Sequence, residues 1–126
     1  MSHRLENEAQ VRDAWTDEMR AARTAHGHTE DAEEWAHLER AHILSQPSAL
    51  LHIRTHAAMF AASVRRRDRH EILGQVFRML VAVPGSLTGR YPVGNTGGAN
   101  VNAFKPMPIP EDLRVVLGED ASREAS

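Results

Sequence analysis

Residues 30–65 read EDAEEWAHLERAHILSQPSALLHIRTHAAMFAASVR. Two helical patterns meet there at one proline. Before Pro47, the residues Trp35, Leu38, Ala41, His42 and Ser45 recur at i, i+3, i+4 spacing, which puts them on one face of a helix over about 30–44. Proline cannot continue that helix, and the Ser48 hydroxyl can cap the next one. Over about 49–65, His52, His56, Met59 and Ser63 form one stripe, and Ile53, Ala57, Phe60 and Val64 form the adjoining stripe. Together they predict a broad buried sector. A connection this short makes the two helices an antiparallel pair.

The flanking sequence extends the helical pattern in both directions. Upstream, Val11, Ala14, Trp15, Met19 and Ala22 give one apolar stripe on a helix over about 4–26, with Gly27 as its stop and Thr29 as cap of the next helix. Downstream, Asp68 followed by Glu71 has capping-box spacing. It predicts a helix over about 69–83 that buries Ile72, Leu73, Val76, Phe77 and Leu80 and ends at Pro84-Gly85. From Gly85 to Pro110 glycine and proline crowd in. Leu87, Tyr91, Val93, Val101, Phe104, Met107 and Ile109 are interleaved, which favours an ordered arm over disorder. Pro110, Glu111 and Asp112 open a short last helix that Gly118 stops. The sequence thus reads as an all-α chain of about four helices, an up-down bundle or helical-hairpin array. A single domain over about 4–118 carries an ordered Gly/Pro-rich C-terminal arm (85–110), and 119–126 forms a flexible acidic tail.

Composition narrows the function. Hydrophobic residues are 41% and charged residues 25%, ordinary for a globular chain. A formal net charge of -2 offers no whole-chain field for nucleic acid. There are no cysteines, so disulfides, thiolate ligands and cysteine nucleophiles are excluded. The polar start, MSHRLENEAQ, is not a signal peptide, and no apolar run approaches the ~20 residues of a membrane span. The expectation is a cytoplasmic protein with no membrane or nucleic-acid partner. Histidine is the outlier: of eight, six fall between His26 and His56.

Register across Pro47 turns that density into a site. His42 and His52 each lie five residues from the proline, while Glu39 and His56 lie eight and nine away. Glu39 and His42 are therefore expected to face His52 and His56. Residues at i and i+4 on a helix have Cβ atoms about 5–6 Å apart, so His52 and His56 can chelate one ion. Glu39-x-x-His42 has the spacing of carboxylate-bridged metal sites in helix bundles. Three imidazoles and a carboxylate suit a divalent transition metal, Zn, Fe, Mn or Ni, without choosing among them. The competing reading has core histidines bonded to each other and to backbone. It has to satisfy every ring nitrogen.

Other motifs carry less. His37 points away from the site and is a reserve ligand; His26-x-His28 reads as polar loop. Gly94-Asn95-Thr96-Gly97-Gly98 lacks the order and lysine of a P-loop and reads as tight turns. Arg65, Arg66, Arg67 and Arg69 have no interleaved aromatics and read as a solvated turn or as partners for the acidic second helix. There is no HExxH and no specifiable Ser-His-Asp set, so whether the chain is an enzyme is left open.

Trp35, the run His37-Leu38-Glu39-Arg40-Ala41-His42, His52, His56, Gly74-Gln75, Gly89-Arg90-Tyr91-Pro92 and Gly94-Asn95-Thr96-Gly97 together resemble a bacterial family of small proteins, domain-of-unknown-function family 3703, over about residues 8–117. The resemblance implies no activity. A weaker similarity, to tetratricopeptide-type helix pairs, rests on Trp35 and Leu38. Glu39 and His42 depart from that pattern, at its small and aromatic positions. The leading expectation is a metal-handling or metal-sensing protein with His42, His52, His56 and Glu39 as ligands, Glu39 serving alternatively as an outer hydrogen-bond acceptor. The alternative is a tetratricopeptide-like interaction module with structural histidines and a protein partner.

Overall fold

In a computed structural model, residues 2–88, 93–99 and 105–118 are described, with the backbone alone over 81–87. The described chain is all-helical, in five helices: α1 (Ser2–Gly27), α2 (Asp31–Ser45), α3 (Ala49–Arg65), α4 (Arg69–Thr88) and α5 (Glu111–Leu117). The expected acidic tail, and the packing expected of Leu87, Tyr91, Val101 and Phe104, lie outside what is described.

The α2–α3 hairpin forms as its sequence dictates. The Ser48 hydroxyl accepts from Leu51 N and starts α3 at Ala49. One side of the hairpin packs against α1 and α5. Trp15, Ala41, Ile43, Leu44, Leu51 and Leu113 form one apolar cluster there, and Ala22, Leu38, Met59 and Ala62 form a second. The Trp15 indole N–H donates to Thr55 Oγ1 at 2.8 Å, so its one polar atom is satisfied inside this layer. Beside it, buried Glu34 takes two hydrogen bonds from the Arg65 guanidinium, which pins the end of α3 to the start of α2. The arginine run therefore does serve the acidic second helix.

Three local expectations change. Thr29 does not cap α2: it sits at φ 55°, its hydroxyl donates to the His28 carbonyl, and Glu30 occupies the cap position without a side-chain bond. The fourth helix does not end at Pro84-Gly85 but runs to Thr88. A proline withholds one backbone hydrogen bond, and the turns on either side carry the helix past it. Asp68 does cap α4, its carboxylate accepting from Glu71 N at 3.1 Å, but Glu71 is drawn elsewhere.

The larger correction concerns which faces are buried. On α4 the inward residues are Glu71, Gln75 and Arg78, while Leu73 and Leu80 are 71% and 75% exposed and Val76 and Phe77 are exposed with them. On α3 the histidine stripe is buried as expected, but Ile53, Ala57 and Val64 of the adjoining stripe are exposed and Phe60 is half-buried. The reason is polar: the hairpin's second side is lined by imidazoles that need hydrogen-bond partners, and the polar stripe of α4 supplies them.

Segment 93–99 closes that polar side. Gly94 N donates to Gln46 Oε1, and Met107 N donates back to the Val93 carbonyl, which ties the arm to the end of α2 and to its own return strand of chain. Val93 is buried and Ile109 packs on the apolar cluster, as the interleaved apolar residues of the arm predict.

Candidate metal centre

His42, one helical turn before the end of α2, and His52 and His56, on successive turns of α3, are 3%, 3% and 1% exposed. Their rings converge Nε2 to Nε2: His42 to His52 is 3.0 Å, His42 to His56 is 3.1 Å, and His52 to His56 is 3.2 Å. The three atoms form a nearly equilateral triangle. These are the three metal-capable side chains that the described structure gathers within 4.8 Å of one another.

The tautomers of two rings follow from their other nitrogens. His42 Nδ1 lies 2.6 Å from the Asn95 backbone carbonyl, which only accepts. Its Nδ1 is therefore the N–H, and Nε2 of the neutral ring bears a lone pair. His56 Nδ1 lies 2.6 Å from Gln75 Oε1. The amide of Gln75 is oriented by its other end, where Nε2 donates to Glu71 Oε1 at 3.1 Å and to the Gly97 carbonyl at 2.8 Å. The Gln75 oxygen is thus fixed toward His56, whose Nε2 also bears a lone pair. Two acceptors face each other at 3.1 Å. Even if His52 carries its hydrogen on Nε2, that hydrogen does not lie between them.

Burial favours the neutral form of all three rings. Burial, then the neighbouring His56 and His52, hold His42 well below the ordinary histidine range. Burial, then His56, lowers His52 to about 3. Burial lowers His56 to about 4, against the raising effect of Gln75.

The surrounding residues form one connected polar layer. Glu71 accepts from Ala99 N with both oxygens, at 2.8 and 2.9 Å, and so fastens the arm to α4. Arg78, lowered by its burial against the raising effect of Glu71, donates to Asn95 Oδ1 at 3.2 Å, and the same oxygen accepts from Gly97 N. Gly97 sits at φ +83° against the His42 ring. A Cβ there would fall 2.4 Å from His42 Cδ2 and 2.8 Å from Nε2. Both the left-handed backbone and the approach to the ring require glycine.

Of the expected ligands, then, His42, His52 and His56 come together and Glu39 stands apart. Glu39 is half-buried and bonded to Thr96 on the arm. Burial raises its pKa, the Thr96 bond lowers it, and nearby Glu71 raises it. On α2 it is His42 whose ring nitrogen lies within 3.1 Å of both α3 histidines. His37 faces α1, its Nδ1 2.7 Å from Glu18 Oε2, and His26 bonds Arg65. Sequence reasoning missed Gln75, the Asn95 carbonyl, Gly97, Glu71 and Arg78. The available signal was the i, i+4, i+7 polar stripe Glu71, Gln75, Arg78, set beside an apolar stripe of equal length.

The molecule is a small helical protein whose second core is a buried three-histidine cluster backed by directed hydrogen bonds. It belongs to the protein family of unknown function DUF3703, whose model matches residues 9–117. No curated protein and no solved structure matches the chain. Among the described residues no helix is long and apolar enough to cross a membrane.

Proposed function

We propose that this protein binds one divalent transition-metal ion through Nε2 of His42, His52 and His56, as a metal-handling or metal-sensing protein. The observation that carries the proposal is the pair of lone-pair-bearing nitrogens of His42 and His56, 3.1 Å apart in a buried site, their protons committed to Asn95 and Gln75 on the far sides of the rings. A cation at the centre turns the two facing acceptors, His42 and His56, into ligands and takes Nε2 of His52 as the third. Bonds of ~2.0–2.1 Å at tetrahedral angles separate ligand nitrogens by about 3.3 Å. The observed 3.0–3.2 Å spacing needs only a slight outward motion of the rings. The carbonyl and amide acceptors behind His42 and His56 fix the tautomer and raise ligand basicity, as outer acceptors do around metal sites. Three protein ligands leave a coordination position for water or another ligand.

All-nitrogen ligation by imidazole suits Zn, Fe or Ni, and Mn less well, since Mn prefers oxygen donors. Glu39 enters as the outer acceptor that holds Thr96, and through it the arm that carries the Asn95 carbonyl. The test is elemental analysis of the tagless protein after loading with Zn, Fe, Mn or Ni, repeated on His52→Ala/His56→Ala. The expected result is one ion per chain, lost in the double variant while helicity is kept. Sub-stoichiometric metal that the double variant leaves unchanged contradicts the proposal.

A further inference from the structure

Among the described residues of α4, the exposed apolar side chains Leu73, Val76, Phe77 and Leu80 stand at i, i+3, i+4, i+7. This is the spacing of a helix face made to be covered. Gln75, between them in sequence, is fully buried against the histidine cluster, so the apolar stripe faces directly away from the protein interior. On α3, Leu50, Ile53 and Val64 are exposed in the same way. Their stripe adjoins the histidine stripe, the side on which α4 packs. The two stripes therefore meet along the outer α3–α4 seam, where half-buried Phe60, Ile72 and Met79 join them.

The size of this face limits what covers it. The exposed fractions of the seven side chains amount to on the order of 500 Å² of apolar surface. With the half-buried residues of the seam, the face approaches the ~800 Å² that each partner contributes to a standard stable interface. A patch of that size exceeds what a monomer ordinarily leaves in water. Charge points to the occupant. Among the described residues the seven exposed side chains of the face are all apolar, and the exposed arginines Arg54 and Arg69 stand toward the N-terminal ends of α3 and α4. A two-fold-related copy can be laid on the seam without opposing like charges at its middle. An anionic membrane would instead be met by few cations, from a chain of net charge -2.

We infer that the α3–α4 face is the interface of a homodimer, in which the helix pair of one copy packs on the same pair of a second to make a four-helix layer. This inference does not rest on metal binding, because the face lies on the opposite side of α4 from the histidines.

Light scattering on a size-exclusion column, with tagless protein at tens of micromolar, tests it. Wild type is expected at twice the 14.0 kDa chain mass, and Leu73→Glu/Leu80→Glu and Ile53→Glu at the chain mass, with helicity unchanged because these positions are exposed in the single chain. A wild-type monomer overturns the inference, whether or not it sediments with anionic vesicles. A dimer that survives both variants overturns it too, by placing the interface elsewhere.

Discussion

The α2–α3 hairpin is buried on both sides, and the two sides are built on opposite principles. Toward α1 and α5 it buries Leu44, Leu51, Met59 and Ala62, with the Trp15 indole bonded to Thr55. That layer is non-directional: removal of apolar area from water stabilises it, and the cost of change scales with volume. Toward α4 and the arm it buries His42, His52, His56, Gln75, Glu71 and Asn95. Little apolar area is gained there, and each polar atom must find its partner or cost about 1–3 kcal/mol. The first layer accounts for why the chain folds. The second is over-specified for folding alone, and still leaves acceptors facing one another. A site that spends specificity without gaining stability is the mark of a functional constraint.

The contrast can be broken in four places. Among the substitutions, Leu44→Ala is expected to have the largest effect on stability, about 2–5 kcal/mol in denaturant titration, equal with and without metal. Acidification acts on the other layer. The three histidines titrate below their unfolded value of about 6.5, His56 at about 4 and His52 at about 3. Stability of the metal-free protein is therefore fully present above about pH 6.5. It falls as pH drops toward 4, because the unfolded chain takes up protons that the native chain does not, by about 1.4 kcal/mol per pH unit for each histidine. Thermal melts across pH 7 to 4.5, set against a His52→Ala/His56→Ala variant with a shallower slope, check this (about two protons fewer). Gln75→Ala removes the acceptor that fixes His56 and is expected to weaken Zn binding about 10–100-fold in competition titrations. Glu39→Gln should have the smallest effect, about threefold or less on the same assay if Glu39 acts through Thr96; a loss near that of a histidine variant would make it a ligand.

Much of this was legible in the sequence where period and punctuation agreed. Pro47 and Ser48 set the hairpin, and α3 spans the expected 49–65. Equal distance from Pro47 brought His42 to His52. The reading failed where two stripes of equal length shared one helix. On α4, hydrophobicity nominated Leu73, Val76, Phe77 and Leu80 for the core, while the hydrogen-bond demand of three buried imidazoles selected Glu71, Gln75 and Arg78. That demand is visible only once the histidines are known to converge. The Asn95 contribution was not legible at all, because it is a backbone carbonyl presented by a loop whose path depends on Gly94 and Gly97 at positive φ.

The central claim is that Nε2 of His42 and of His56 is bare and that all three Nε2 atoms converge on one ion. Nitrogen-15 NMR of the histidine rings, followed during addition of Zn to the tagless protein at neutral pH, tests it directly. The account predicts Nδ1-protonated His42 and His56 before addition, and movement of all three Nε2 resonances together, complete at one equivalent. A persistently protonated Nε2 on His42 or His56, or three resonances that Zn leaves in place, would contradict it.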